Sequence, residues 1–271
     1  MKMEKLRIGL GQLNTKDDVE RNLETIKDIT EKCAAEGAKL VVFPECSTYL
    51  SDKNMIEHAE FLNDNIINTI RRIAVKNNVY IHNGSFLEKD ESEEKVYNTS
   101  VLINPKGQIE TVYRKIHLFD VDIPGIVNEK ESDIVKNGNE VVNAVTEIGC
   151  FGFSICYDLR FPELFRKLTE KGAKIIFVPA AFTLYTGKDH WEVLLRSRAI
   201  ENQVFIVGVN QFGERPIGKI SYGNTMVVDP WGTVIARAKE GVGYLMADID
   251  MNYLENIRKT IPCLEHKRDF V

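Results

Sequence analysis

Residues 37–45 read GAKLVVFPE and residues 172–180 read GAKIIFVPA. Each copy enters through Gly-Ala-Lys, runs through four apolar residues and meets a proline. Continuous apolar runs of this kind are strands covered on both faces, as in parallel sheets flanked by helices. Two such strands in one chain imply a duplicated β-α-β unit and an α/β layered domain with internal pseudo-symmetry. The copies differ where the strand ends: Glu45 in the first, Ala180 in the second. A strand that folds with alanine there does not need a carboxylate for folding.

The rest of the chain supports this reading. LRIGLGQLN opens as a strand. From Asp17 to Glu36 the apolar residues Val19, Leu23, Ile26, Ile29 and Cys33 form a helical stripe that ends at Gly37. A helix through IINTIRRIAVKN leads to the strand VYIHNGSF, and YNTSVLINPKGQIETVYRKI reads as a hairpin turning at NPKG. EKDESEEK, residues 88–95, is the most charged stretch and reads as a solvated hairpin tip. AVTEIG and FGFSICYD are strand-like, and PELFRKLTEK is a helix with Pro162 in its first turn and Gly172 at its C-cap. After the second Gly-Ala-Lys strand come a helix through DHWEVLLRSRAIENQ, the strand VFIVGVNQ and a hairpin turning at DPWG. No Pro/Gly/Ser-rich linker interrupts the 271 residues, so one domain spanning 1–271 is expected.

Composition excludes several classes. A net charge of −5 argues against a nucleic-acid footprint, which calls for a basic face. No apolar run is long enough to span a membrane, and charges break the N-terminus too early for a secretory signal. Five scattered cysteines without a CxxC suit free thiols in a reducing cytoplasm. The five histidines lack metal-ligand spacing, so no metal site is expected. No Gly-rich phosphate loop follows a strand, which leaves a flavodoxin-like nucleotide binder unsupported.

In open α/β sheets functional groups collect beyond the carboxyl ends of the strands. Glu45 is at one such end. A lone Glu there more often caps a loop, but this one follows an apolar run, and partial desolvation should raise its pKa toward that of a general base. Cys156 ends another strand, in FSICYDLRFPE. An isolated cysteine is usually core filler, a reading that suits Cys33 and Cys150. Cys156 differs because YDLR follows at once, so the thiol is presented on a sharp turn whose free N–H groups can hold an oxyanion. The helix starting near Pro162 should lower that thiol's pKa only modestly, and a nearby cation would do more. Lys115 by itself is one of 35 basic residues, and His117 in its apolar setting reads as structural.

VVFPE, YRKIHLFDVDIPG and GFSICYDLRFPEL, in that order and with Glu45, Lys115 and Cys156 separated by 70 and 41 positions, resemble the three signature regions of the nitrilase (carbon–nitrogen hydrolase) superfamily. The resemblance continues through HWEVLLRSRAIENQ and SYGNTMVVDPWGTVIAR. It points to the branch of omega-amidase and deaminated-glutathione amidase. It implies an αββα sandwich, a Glu45–Lys115–Cys156 triad and a supporting Glu131 in NEKES. It also implies protomers paired as a homodimer or a higher homo-oligomer.

The implied chemistry is cofactor-free thiol hydrolysis of a small carboxylate-bearing amide with release of ammonia. Cys156 attacks, Glu45 moves protons, and Lys115 with the N–H of Tyr157 holds the oxyanion. For the substrate pocket, Phe119 and Thr183 are candidate lining residues. Arg198 is a candidate for the carboxylate because it shares a helix face with Trp191, Leu194 and Leu195. Arg160 reads instead as the partner of Asp158 or Glu163, and Glu192 with Arg196 as a structural i,i+4 pair. The alternatives are an N-carbamoyl hydrolase of the same family and a non-catalytic scaffold on the same fold.

Overall fold

The computed structural model describes residues 5–51, 55–91, 94–125, 127–215 and 219–268. The first half of the chain contributes β1 (Leu6–Gln12), α1 (Val19–Ala35), β2 (Leu40–Val42), α2 (Asn65–Asn77), β3 (Tyr80–His82), β4 (Phe86–Glu88), β5 (Tyr97–Ile103) and β6 (Ile109–Arg114). A small ribbon follows, β7 (Asp120–Ile123) with β8 (Val127–Lys130). The second half contributes β9 (Asn143–Thr146), β10 (Gly149–Phe153), α3 (Pro162–Glu170), β11 (Ile175–Ala180), α4 (Leu184–Asn202) and β12 (Phe205–Asn210). A second ribbon, β13 (Phe212–Glu214) with β14 (Ile220–Tyr222), leads to β15 (Met226–Val228), β16 (Val234–Arg237), β17 (Gly243–Ile249) and α5 (Met251–Thr260).

The strands form two sheets with matching topology. One runs β17-β1-β2-β3-β5, with β4 and β6 both paired to β5, and the other runs β9-β10-β11-β12-β15-β16. In each sheet the three central strands are parallel and the flanking pairs antiparallel. The correspondence extends to detail. Ile8 pairs with Leu40 as Phe151 pairs with Ile175. Both hairpins carry a register shift just before their turns, at Leu102/Ile103 and Val227/Val228. Both second helices end on a left-handed residue, Asn78 and Gln203. The pseudo-symmetry expected from the repeat is therefore present throughout the fold.

Strand periodicity then builds the layers. Leu40 and Val42 point into a core shared with Phe151, Phe153 and Phe177 of the second sheet. Val41 and Phe43 point the other way, into a core with Ile26 and Ile29 of α1 and Ile66 and Ile70 of α2. On the far side, Phe165 of α3 and Trp191 and Leu195 of α4 cover the second sheet. The order is helices, sheet, sheet, helices. His82 lies between the sheets, stacked 5.3 Å from Phe153, and burial pulls its imidazole down to about 3, so it packs as a neutral ring.

The structure departs from the sequence reading in three places. VYIHNGSF is not one strand: the chain leaves the ladder at Asn83–Ser85 and resumes in β4. Gly84, at φ +78, makes this detour possible, because a Cβ there would be 1.8 Å from the Pro44 carbonyl oxygen. The helix expected from residue 189 begins earlier, at Leu184, with Thr183 as N-cap. β17 and α5 had no counterpart in the sequence reading; β17 pairs along all seven residues of β1, and Asp250 caps α5. The charged stretch 88–95 does connect antiparallel β4 and β5, although residues 92 and 93 lie outside the described residues.

The detour at Gly84 supports the loop that carries Glu45. The Cys46 N–H donates to Ser85 Oγ (2.9 Å), and Ser47 Oγ donates to the Asn83 carbonyl (2.5 Å). Gly84→Ala must displace the Pro44 peptide or relax φ, so it is expected to lower stability by roughly 2–4 kcal/mol. Chemical denaturation of the two proteins measures this, and a loss under about 0.5 kcal/mol would mean the close approach is easily relieved.

Candidate active site

Four strand ends, two of them leading into 3-10 turns, converge on a cavity of about 320 Å³. Glu45 follows β2 and Lys115 follows β6. Cys156 opens a short 3-10 turn (Cys156–Arg160) after β10, and Glu131 opens another after β8. All four line the cavity, with Asn98, Phe119, Tyr157 and Thr183. The first three are 5%, 2% and 8% exposed, so their charges are felt at low effective dielectric.

The hydrogen bonds divide Glu45 into two working ends. Its Oε1 accepts from Lys115 Nζ at 2.9 Å and from Asn98 Nδ2 at 3.0 Å. Its Oε2 accepts from the Ala181 N–H at 2.9 Å. The Cys156 thiol also hydrogen-bonds this carboxylate. Ala181 directly follows Ala180, the pseudo-symmetric counterpart of Glu45, so the two repeat copies meet at the site. Glu131 closes the other side: both its oxygens accept from Lys115 Nζ (3.1 and 2.8 Å), and Oε2 accepts from the Phe119 N–H at 2.7 Å. Asn98 bridges the two acids, since its Nδ2 also donates to Glu131 Oε1 at 3.1 Å.

Two titration expectations are reversed. Burial pushes the Glu45 carboxyl up, but the Lys115 ammonium, the Cys156 thiol and the Ala181 N–H outweigh it and hold it below its ordinary range. Burial pushes the Cys156 thiol well up, the Glu45 carboxylate adds to this, and Lys115 only partly opposes them. Lys115 is pulled down by burial and raised further by Glu131 and Glu45, ending well above its ordinary value. The resting site is thus a thiol beside a carboxylate and an ammonium, with no preformed thiolate. Sequence reasoning saw the desolvation of Glu45 but not the buried cation that outweighs it.

The turn that Cys156 opens has a left-handed backbone, with Cys156 at φ +47, a conformation that costs a non-glycine residue about 1 kcal/mol and that surrounding contacts must impose. Asp158 imposes it. Fully buried, it accepts from the Ile155 N–H at 2.8 Å, Tyr113 Oη at 2.6 Å and the His117 N–H at 3.0 Å, and it pairs with His117 Nδ1 at 2.6 Å. Tyr113 and His117 flank Lys115 by two residues on either side, so one carboxylate ties the lysine's segment to the thiol's. His117 stacks on Phe161 and stays out of the charge cluster.

Of the substrate-pocket candidates, Phe119 and Thr183 line the cavity and Arg198 does not. Arg198 does lie on the apolar face of α4, but its Nε and Nη2 both donate to the Leu159 carbonyl (3.0 and 2.9 Å) and Nη1 pairs with Glu201. It braces the turn Cys156–Arg160 from behind. Arg160, expected to pair with Asp158 or Glu163, lines the cavity instead, over the rings of Phe182 (5.2 Å) and Tyr157 (5.8 Å). Asn98 and Arg215 also line it and had no sequence signal, because each arrives from a strand or ribbon distant in the chain. Glu192 and Arg196 are paired at 3.6 Å as expected.

Removing Asp158 leaves its donors without an acceptor in a dry site. Asp158→Ala is expected to cost about 3–5 kcal/mol of stability, whereas Tyr113→Phe, which deletes one of several donors, should cost about 1–2. Comparing the two denaturation midpoints checks the order; equal losses would remove Asp158 from the centre of this network.

Against known proteins, the carbon-nitrogen hydrolase family model matches residues 7–259. A deaminated glutathione amidase of Dictyostelium discoideum is 39% identical, over 97% of this chain and 94% of that protein. The crystal structure of the Caenorhabditis elegans NitFhit protein superposes with a TM-score of 0.92 at 37% identity, covering 99% of this chain and 66% of that one. Saccharomyces cerevisiae Nit3, described as a member of branch 10 of the nitrilase superfamily, superposes with a TM-score of 0.87 at 31% identity, covering 96% and 95%. The chain therefore belongs to the carbon–nitrogen hydrolase family and is an enzyme of the nitrilase superfamily.

Proposed function

We propose that this enzyme hydrolyses a small carboxylate-bearing amide of the deaminated-glutathione type, through a thioester on Cys156. The observation that carries the reading is the thiol–carboxylate–ammonium cluster. The Cys156 thiol interacts with the Glu45 carboxylate, one oxygen of which is held 2.9 Å from Lys115 Nζ. In acylation, Cys156 Sγ attacks the amide carbon as its proton passes to Glu45. The oxyanion that forms is met by Lys115 and by the Tyr157 N–H, in the first turn of a helix where N–H groups lack intrahelical acceptors. Glu45 returns the proton to the departing nitrogen and the C–N bond breaks. In deacylation, Glu45 takes a proton from water, hydroxide adds to the thioester, and the thiol leaves with that proton as the acid is released. Glu131 keeps Lys115 charged throughout and sets its direction. Arg160, on the turn that carries the nucleophile, anchors the substrate's acyl-side carboxylate.

Cys156→Ala should fold and lose turnover by at least about 10⁴-fold, and Glu45→Gln should lose about 10²–10⁴-fold in kcat. Assays of product release from 2-oxoglutaramate and deaminated glutathione read both; an active Cys156→Ala enzyme would refute the thioester route. Glu45 must be ionised to accept the proton, and its pKa is depressed, so kcat/KM should fall only as pH drops below the ordinary carboxylate range. Because Cys156 and Lys115 are both raised, the alkaline limb should lie above the ordinary thiol value, leaving a plateau across neutral pH. Release of ammonia and carbon dioxide from an N-carbamoyl amino acid alone would favour the N-carbamoyl hydrolase reading instead.

A homodimer belongs to the same proposal. Val193 and Ile200 are 62% and 49% exposed on the outer face of α4, and Trp231, at the adjoining hairpin turn, is 53% exposed. Ile200→Asp should shift a sedimenting dimer toward monomer, whereas a monomeric wild type would rule the pairing out. The cytoplasmic assignment is supported by five free thiols, and cell fractionation tests it.

A further inference from the structure

His82 is a fully buried titratable side chain that the proposed chemistry does not use. It ends β3 and lies between the two sheets. Its Nδ1 accepts the Gly84 N–H at 3.0 Å, and because a backbone N–H can only donate, the neutral ring carries its proton on Nε2. That Nε2 is buried and has no hydrogen-bond partner among the described residues. Burial holds the imidazole down at about 3, so Nδ1 stays an acceptor across neutral pH. A core position that leaves a donor unmatched would be filled more favourably by a hydrocarbon side chain. Filling space therefore does not explain a histidine here, whereas the bond from Gly84 does.

The ring touches the segments whose ends meet around Glu45. It is stacked on Phe153, three residues before Cys156, with centroids 5.3 Å apart and an interplanar angle of 9°. It is 4.9 Å from Phe177, four residues before Ala181, whose N–H holds Glu45 Oε2. Beside it, Ser154 Oγ ties the two strands by donating to the Phe177 carbonyl at 2.7 Å. Through Nδ1 the ring fixes Gly84, whose close approach to the Pro44 carbonyl places the residue immediately before Glu45. The His82 carbonyl accepts the Phe43 N–H at 3.0 Å and anchors the same loop at its start. One residue thus joins the strand that leads to Cys156, the strand that leads to Ala181 and the loop of Glu45.

We propose that His82 is a positioning residue for proton transfer: wedged against Phe153 and Phe177, it holds Gly84 under Pro44 and so sets the place of the Glu45 carboxylate relative to Cys156. This role rests on the amide-hydrolase reading above. His82 does not line the cavity, so its loss should slow the chemical step and leave substrate binding almost unchanged.

Three substitutions separate the acceptor from the packing. His82→Asn keeps an acceptor, Oδ1, near the place of Nδ1. His82→Leu has nearly the same shape as that side chain and no acceptor, and His82→Phe keeps a stacked ring without one. With 2-oxoglutaramate and deaminated glutathione as substrates, kcat of His82→Leu and His82→Phe should fall at least about tenfold with KM within about threefold of wild type, since misplacing reacting groups by about 1 Å suffices for such a loss. His82→Asn should recover most of kcat, although its buried amide makes it melt below His82→Leu. A merely structural residue would make activity follow Tm, whereas here kcat and Tm should rank His82→Asn and His82→Leu in opposite orders. Wild-type kcat in His82→Leu, kcat falling in step with Tm, or a loss confined to KM would overturn the role of His82 while the hydrolase reading stands. If His82→Phe does not fold, the other two substitutions decide the outcome. If wild type hydrolyses neither amide, the hydrolase reading fails and the positioning role with it.

Discussion

An ammonium ion shut away from water must be surrounded by anions, and the arrangement of the site follows from where Lys115 Nζ is buried. The lysine is 2% exposed. Isolated, it would shed its proton; between Glu45 and Glu131 it is held charged, with oxygens at 2.8 to 3.1 Å. Two carboxylates around one ammonium leave an excess negative charge. Asn98, a neutral donor to both acids, relieves part of it, and the neighbouring Cys156 stays a thiol as a further result. Breaking such a buried cluster by removing one partner typically costs about 3–5 kcal/mol, so the groups proposed to perform chemistry also hold each other in place.

The charge cluster depends on a fold assembled from two similar halves. Each half ends an apolar strand at the same face, and the two ends meet when the sheets pack. The first copy supplies the Glu45 carboxylate and the second supplies, at the residue after the matching alanine, the N–H that orients it. A duplicated scaffold thereby makes an asymmetric site. Asp158 and Gly84 do the remaining positioning, one by gathering donors from both sides of Lys115 and from the residue before Cys156, the other by letting β3 break away beneath Pro44.

Much of this was legible before the fold was known, for physical reasons particular to each residue. Glu45 stood out because a carboxylate ended an apolar strand whose copy ended in alanine, and Cys156 because a strand stopped abruptly at a thiol. The paired hairpins were visible through NPKG and DPWG, since turn chemistry is local. β17 and α5 were not, because β17 is defined by an antiparallel partner more than 200 positions earlier, in β1. Arg198 was misjudged because helical periodicity tells which face a side chain is on, not what waits there; here it was the Leu159 carbonyl.

The sequence by itself determined the chemical types and their order: a carboxylate, an ammonium and a thiol, each at the end of a strand, within a repeated α/β unit. Those properties reside in single residues and in short-range periodicity, so they survive without coordinates. Tertiary structure decided the charge states and the second layer of contacts. Glu45 is depressed because a lysine 70 positions away is buried against it, not raised as its apolar strand alone would suggest. Asn98, Asp158 and Arg215 acquire their places only when distant segments close on one cavity. Electrostatic interactions depend on distance in space and on exclusion of water, and neither is written in the spacing of residues along the chain.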